Sequence, residues 1–295
     1  MDKIDSRNCR FLGLPSEQSE FRKSEFVVLP VPYEQTTTYR TGTKHGPSAI
    51  IAASQEVETF DEELNLEPCQ AGICTLDQVE VIASGPENMV EKIYLTQREL
   101  LGEKKKVVML GGEHTISIGA VRAHLERYPH LSVLQMDAHA DLRDTYQGSK
   151  FSHACVMRRI GELCPFVGVG IRNQSREEHE FIEGNRTDVF FAQQLAESDR
   201  WTDRLLGRLG QDVYLTLDLD VLDPSIMPAV GTPEPGGLLW HQTLSFLKEL
   251  VAKKNLVGFD VVELCPLPGL AAPDFTAARL VYKIIAYMVA KSRND

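Results

Sequence analysis

The stretch LSVLQMDAHAD (131–141) decides the fold class, because it joins an apolar run to a cluster of polar residues directly after it. Residues 131–136 carry no charge, which is typical of a strand buried on both faces of a parallel sheet. Further runs rich in Val, Ile and Leu predict the other strands, at residues 26–29, 107–110, 166–171, 188–191, 213–219 and 257–262.

Segments with helical spacing of apolar residues lie between these runs. They cover residues 87–101, 118–128, 200–209, 243–253 and 276–291. Because strands and helices alternate, the sequence predicts an α/β fold with a mainly parallel central sheet.

The length and composition of the chain indicate how many domains it forms. It has 295 residues, of which 43% are hydrophobic, and no internal boundary is visible, so we expect one core. Residues 1–25 are polar and predict an N-terminal arm, and residues 26–295 predict a single domain.

The net charge limits the classes of partner that the chain can bind, and the cysteine content indicates the cellular compartment. With 31 basic and 42 acidic residues the net charge is −11, which argues against nucleic acid or an anionic membrane and favours cationic partners. The six cysteines form no CxxC pair, and the sequence predicts neither a signal peptide nor a membrane-spanning segment. These features predict a cytoplasmic protein.

Metal-ligating residue types follow three of the predicted strands. In open α/β sheets, ligands bind beyond the carboxyl ends of the strands, so these side chains should meet at one edge. One such Asp or His alone would be more typical of a turn or a helix cap. Four carboxylates at the end of a buried sheet would repel one another without cations, and so the set predicts a metal site. Its members are His114, Asp137, His139, Asp141, Asp218 and Asp220.

The ligand types indicate which metal this site would hold. Carboxylates and imidazoles without a thiolate favour Mn²⁺ or a similar divalent ion over structural zinc. Two ions that share carboxylates would use the whole set, and they could hold a bridging water as hydroxide near neutral pH.

These motifs resemble the ureohydrolase family of arginases and agmatinases, most closely the bacterial agmatinases. The resemblance extends from about residue 26 to the C-terminus and implies the three-layer arginase-like fold, with helices on both faces of the sheet. It rests on TGTKHGPSAI (41–50), GGEHTIS (111–117), DAHADLRD (137–144), SHA (152–154), TLDLDVLDP (216–224), GTPEPGGL (231–238) and FDVVELCP (259–266).

The resemblance also implies a role for each site residue. One Mn²⁺ would be held by His114 and Asp141 and the other by His139 and Asp220, with Asp137 and Asp218 bridging. The catalytic residues would include Asp141, with His153 passing a proton to the leaving amine and Glu263 accepting hydrogen bonds from the guanidinium. The implied partners are a small cationic guanidino substrate and further copies of the chain, in a trimer or a hexamer.

Agmatine, cleaved to putrescine and urea in polyamine biosynthesis, is the predicted substrate. Five carboxylates against two divalent ions and a hydroxide leave the site negative, which suits a dication. The acidic pair that arginases carry after the IR segment is replaced here by Asn173 and Ser175. Aminopropylagmatine, guanidinobutyrate and arginine remain alternatives.

Other classes of protein fit the sequence less well. A dinuclear metallophosphoesterase would also need a GNH segment and a late GHxH pair, which the chain lacks. A deacylase of related fold keeps one metal and a His-His dyad. A non-catalytic metal-binding relative would have lost a ligand, His153 or Glu263. Cys155 could be a thiol nucleophile, but no base that would activate it is visible.

Overall fold

The computed structural model describes residues 10–197 and 201–294, and within them the chain forms one eight-stranded sheet. All neighbouring strands are parallel, in the order β2-β1-β3-β8-β7-β4-β5-β6. The predicted α/β class with a parallel sheet is therefore confirmed. The strands are β1 (Phe26–Val31), β2 (Ile73–Thr75), β3 (Lys106–Gly111), β4 (Ser132–Met136), β5 (Phe166–Ile171), β6 (Asp188–Phe191), β7 (Asp212–Asp218) and β8 (Asn255–Val262).

Each predicted strand is present, and the sequence analysis missed only β2 among the strands of the described residues. β2 has three residues and lies at the edge of the sheet beside β1. So short a segment shows no periodicity of its own, and its register is set by pairing with β1.

The first helix of the described residues precedes β1, the last follows β8, and the others connect successive strands. Each predicted helix has a counterpart. Arg200, the first residue of one predicted helix, lies outside the described residues, and that helix begins at the following residue. The helices are α1 (Ser16–Ser19), α2 (Gly46–Ser54), α3 (Pro86–Gly102), α4 (Ser117–Arg127), α5 (Val156–Gly161), α6 (Arg176–Asn185), α7 (Ala192–Glu197), α8 (Trp201–Leu206), α9 (Trp240–Lys253) and α10 (Ala272–Asn294).

Two hydrophobic clusters cover the two faces of the sheet. Because neighbouring residues of a strand point to opposite faces, Val28 and Val108 enter one cluster and Val27 and Val107 enter the other. The first cluster is completed by α2, α9 and α10, and the second by α3, α4 and α5. The predicted three-layer arrangement is thus confirmed.

The described part of the predicted N-terminal arm packs against this core. Phe11, Leu12 and Leu14 are buried in the first cluster. The backbone N–H of Leu12 donates to Ser54 Oγ at 2.8 Å, and that of Phe11 to Thr75 Oγ1 at 2.9 Å. The division at residue 25 stays a prediction, and residues 1–9 lie outside the described part.

Four central strands determine where the predicted site lies. β3, β8, β7 and β4 are consecutive neighbours, and since they are parallel, their carboxyl ends meet at one edge of the sheet. Within residues 10–197 and 201–294, no helix combines the length and apolarity needed to cross a membrane.

Candidate active site

The predicted metal ligands meet at this edge, around His114 and Asp137. His114 follows β3 after Gly112 and Glu113, and its Nδ1 lies 3.2 Å from Asp137 Oδ2, 3.1 Å from Asp141 Oδ2 and 3.6 Å from Asp218 Oδ2. His114 and Asp137 are buried, with 1% and 0% of their surfaces exposed. This arrangement forms a first group of potential ligands.

A second group lies beside the first and shares Asp137 with it. His139 Nδ1 is 2.8 Å from Asp220 Oδ2 and 3.7 Å from Asp137 Oδ1. The ligand atoms of His114, Asp137 and Asp218 lie within 4.8 Å of one another, and so do those of Asp137, His139 and Asp220. The two oxygens of Asp137 therefore face different histidines, as a carboxylate between two cations would.

The backbone of Asp141 is held in an uncommon conformation. Its φ of 54° lies in the left-handed region that non-glycine residues rarely adopt. The carbonyl of Asp141 accepts hydrogen bonds from the N–H groups of Met157 at 3.0 Å and Arg158 at 3.2 Å, at the start of α5. The first turn of α5 thus stabilises the backbone that turns the Asp141 carboxylate toward His114.

The orientation of the His114 ring fixes which nitrogen faces the carboxylates. Nε2 lies 2.8 Å from Thr216 Oγ1, and the Thr216 hydroxyl donates to Asp260 Oδ1 at 2.7 Å. Because that hydroxyl has only one hydrogen, its oxygen accepts from Nε2–H of His114. Nδ1 then carries the lone pair, and among the described residues no atom hydrogen-bonds to it.

A lone pair facing carboxylate oxygens is repulsive unless a positive charge lies between them. Burial lowers the pKa of His114, but the carboxylates of Asp137 and Asp141 outweigh this effect and raise it well above its ordinary value. Burial also lowers the pKa of His139, but the carboxylates of Asp220 and Asp137 outweigh this effect and raise the pKa to about 12. Burial and the charge of Asp137 raise the pKa of Asp141 to about 7. The groups attract protons, and a divalent cation would take the place of those protons, so the residues present fit a metal ion.

Glu263 lies just after β8 and lines the cleft above the metal ligands. Its Oε1 accepts a hydrogen bond from the backbone N–H of His114 at 2.7 Å, and 9% of the residue is exposed. Gly231 borders the other oxygen, Oε2, since a Cβ at this glycine would lie 3.8 Å from it, an ordinary van der Waals distance. Like Asp141, Glu263 has a positive φ, of 67°.

His153 lines the same cleft from the loop between β4 and α5. Its Nδ1 lies 3.0 Å from Thr36 Oγ1, and its ring meets the Tyr146 ring edge to face, with centroids 5.6 Å apart. Burial, and then the charges of His114 and His139, lower the pKa of His153 to about 4. Cys155 is buried, and burial raises the pKa of its thiol to about 12, so it is not a ready nucleophile.

The structure thus brings every residue of the predicted site to one edge of the sheet. The sequence model of the Arginase family matches residues 24–287 of the chain.

The chain belongs to the arginase family. It is a ureohydrolase, an enzyme that hydrolyses guanidino groups, with His and Asp groups positioned for metal binding.

Similar proteins are found among curated sequences and solved structures of this family. The N(1)-aminopropylagmatine ureohydrolase of Synechocystis sp. is 39% identical over 277 residues, covering 91% of this chain and 90% of that protein. The enzyme of the same name from Thermus thermophilus is 38% identical over 270 residues, covering 91% and 92%. The crystal structure of the agmatine ureohydrolase of Thermoplasma volcanium matches with a TM-score of 0.86 at 30% identity, covering 94% of each chain.

Several residues of this arginase-family site escaped the sequence analysis. Arg172 donates from Nη2 to the carbonyls of Asp220 and Glu234, both at 2.7 Å, and so ties the metal segment after β7 to the GTPEPGGL segment. The sequence signal that could have identified Arg172 is its position in the IR segment. Thr36, Thr216 and Asp260 also lie close to the site; Thr216 opens the TLDLDVLDP motif and Asp260 lies in FDVVE, whereas Thr36 falls in none of the motifs.

Asn173 and Ser175, which stand where arginases carry an acidic pair, have other roles here. Asn173 donates to the Glu234 carboxylate, and Ser175 caps α6 in a capping box with Glu178. Glu178 also accepts from the backbone N–H of Leu142 at 2.9 Å. The start of α6 is therefore tied to the DAHADLRD segment.

Proposed function

We propose that this ureohydrolase releases urea from N(1)-aminopropylagmatine, with agmatine as a slower substrate. The observation that carries the hydrolytic chemistry is the pair of ligand groups sharing Asp137, with Glu263 and His153 in the cleft beside them. Agmatine is the substrate predicted from the sequence alone, but the names of the Synechocystis and Thermus relatives favour the longer substrate.

Two Mn²⁺ ions per chain complete the proposed site. His114 and Asp141 would hold one ion, His139 and Asp220 the other, and Asp137 and Asp218 would lie between them. Hard oxygen ligands and imidazoles without a thiolate support Mn²⁺. When bound, such ions lower the pKa of a water so that it supplies a nucleophile near neutral pH.

Glu263 would orient the substrate. One of its oxygens is occupied by the N–H of His114, which leaves Oε2 to accept N–H groups of the guanidinium. Attack at the guanidinium carbon then occurs with the substrate held by a charge-assisted hydrogen bond, and Glu263 excludes poses in which the carbon faces away from the ligand groups.

His153 would handle the proton of the leaving amine. As the bond between carbon and the alkylamine nitrogen breaks, that nitrogen needs a proton to leave as a neutral amine. His153 faces the cleft with Nδ1 already engaged by Thr36, so Nε2 is the nitrogen that would deliver the proton.

The outer cleft supports a long substrate tail. Thr37, Thr38, Tyr39 and Tyr146 line it, and Tyr39 is 76% exposed. Aromatic faces attract ammonium groups, so the aminopropyl extension would run along these tyrosines toward solvent.

A carboxylate-bearing guanidino compound is the second candidate, because arginines also line the cleft. Arg40 donates to the Val230 carbonyl at 3.5 Å, and Arg143 lies over the Tyr146 ring at 5.3 Å. Guanidinobutyrate would place its carboxylate near these cations.

The test is urea release by the manganese-loaded protein from aminopropylagmatine, agmatine, guanidinobutyrate and arginine. We expect the highest kcat/KM with aminopropylagmatine. Tyr39→Ala should reduce kcat/KM for this substrate more than for agmatine, whereas Tyr39→Phe should behave as the wild type. Urea from none of the compounds would refute the hydrolytic proposal, and a clear preference for guanidinobutyrate would refute the substrate order alone.

A further inference from the structure

Thr36 lies between Glu113 and His153 and hydrogen-bonds to both. Its hydroxyl donates to Glu113 Oε1 at 2.7 Å, and its oxygen lies 3.0 Å from His153 Nδ1. The backbone N–H of His153 also donates to Thr36 Oγ1, at 3.1 Å. The three residues come from separate parts of the chain, before α2, after β3 and before α5.

The hydrogens available to Glu113, Thr36 and His153 permit only one arrangement of the hydrogen bonds among them. A carboxylate only accepts, so the single hydrogen of the Thr36 hydroxyl points to Glu113. The two lone pairs of Thr36 Oγ1 are then left for the N–H and for Nδ1 of His153. Nδ1 must therefore carry a hydrogen, and neutral His153 keeps its lone pair on Nε2.

We propose that Thr36 and Glu113 are positioning residues that fix the ring and the tautomer of His153, so that Nε2 exchanges the proton during turnover. The inference rests on the proposed function of His153. Nε2 of neutral His153 first takes up a proton from solvent water in the cleft, and this proton then moves to the leaving amine, while the hydrogen on Nδ1 stays in place in both charge states of the ring. This Glu113–Thr36–His153 relay orients the imidazole as a carboxylate does behind a catalytic histidine, except that a hydroxyl lies between the carboxylate and the ring.

Glu113 is itself held rigidly. It is fully buried and accepts from the backbone N–H groups of Gln35 at 2.6 Å and Thr36 at 2.7 Å, and from Thr115 Oγ1 at 2.6 Å. Loss of the Thr36 hydroxyl would leave the backbone contacts to Glu113 intact, so the loop can keep its place. A substitution at Thr36 can thus remove the side-chain hydrogen bond to His153 while the loop keeps its fold.

Ser152 offers the competing contact to the same ring nitrogen. Its Oγ lies 3.4 Å from His153 Nδ1, longer than the contact made by Thr36. Ser152→Ala is therefore the matched control, because it removes the other hydroxyl close to Nδ1.

The experiment compares Thr36→Val, Thr36→Ser and Ser152→Ala in the manganese-loaded enzyme, each alone and in a His153→Ala background. Thr36→Val should lower kcat by about tenfold to a hundredfold, the loss expected for one hydrogen bond to an ionisable group, with KM and metal content unchanged. Thr36→Ser and Ser152→Ala should keep wild-type kcat. In the His153→Ala background, Thr36→Val should have no further effect on kcat, because the group it orients is gone.

An equal loss from Thr36→Val with and without His153 would overturn the relay, since the hydroxyl would then act elsewhere. Loss of kcat in Ser152→Ala but not in Thr36→Val would overturn it too. Failure of the proposed function is a different result, the absence of urea release by the wild type from every guanidino substrate.

Discussion

Thr216 accepts a hydrogen bond from Nε2 of His114 at 2.8 Å, and this contact turns Nδ1 toward three carboxylates. Thr216 in turn donates to Asp260, which also accepts from the hydroxyl of Tyr214 at 2.8 Å. The tautomer of His114, a proposed metal ligand, is thus set by a buried network on the far side of the ring.

Thr216→Val should therefore weaken metal binding. The ring would lose the acceptor that keeps the hydrogen on Nε2, and such partners typically change metal affinity by about 10- to 100-fold. Titration of Mn²⁺ against a competing chelator measures the affinity. Thr216→Ser keeps the hydroxyl and should bind as the wild type does; equal affinities of Thr216→Val and wild type would show that the network does not act on the metal.

Asp137→Asn should reduce the metal content below the proposed two ions per chain. The shared carboxylate would lose its charge on both sides, toward His114 and toward His139. Elemental analysis after gel filtration measures the content. Asp144→Asn is the matched control, since this half-exposed residue of the same segment pairs with Arg159 outside the ligand groups. Two ions retained by Asp137→Asn would contradict the shared site.

Glu263→Gln should lower kcat/KM by about tenfold to a hundredfold, while the metal content stays constant. The amide oxygen can still accept from the N–H of His114, but the charge that faces the guanidinium is lost, and charged hydrogen bonds contribute about 1.5 to 3 kcal/mol. Steady-state urea release at several substrate concentrations measures the effect. An unchanged kcat/KM would remove Glu263 from substrate binding.

The predicted ligands could be recognised in the sequence because each lies close to the carboxyl end of an apolar run, and parallel strands bring such positions to one edge of the sheet. His114, Asp137 and Asp218 are in this sense local features. Thr36 and Thr216 could not be found in the same way, since their partners Glu113 and His114 are 77 and 102 residues distant in sequence. Their importance arises only from the strand order.

Backbone strain was equally invisible in the sequence. Asp141 and Glu263 both have a positive φ, and neither residue type signals this as glycine would. In each case tertiary contacts hold the conformation: α5 binds the carbonyl of Asp141, and the N–H of Glu263 donates to the Gly112 carbonyl at 2.9 Å. The order of strands at the sheet edge supplies these contacts.

His124 provides a test of pH dependence away from the metal ligands. It lies fully buried on α4, where its Nδ1 contacts the Ala120 carbonyl at 2.9 Å and its ring packs against Tyr214. Burial lowers its pKa from 6.5 to about 4. The unfolded chain therefore binds more protons than the fold between these pH values, so the contribution of His124 to stability is present above pH 6.5 and declines as the pH falls toward 4.

His124→Asn removes this titration, and the free energy of unfolding of wild type relative to the variant should fall by about 2 kcal/mol between pH 7.5 and pH 5. Urea denaturation of both proteins at both pH values, with a chelator present throughout, measures the difference without a contribution from metal release. Comparison with the variant also cancels the titration of the carboxylates at the sheet edge, since both proteins carry them. A difference that stays constant with pH would mean that His124 titrates alike in the folded and unfolded chains.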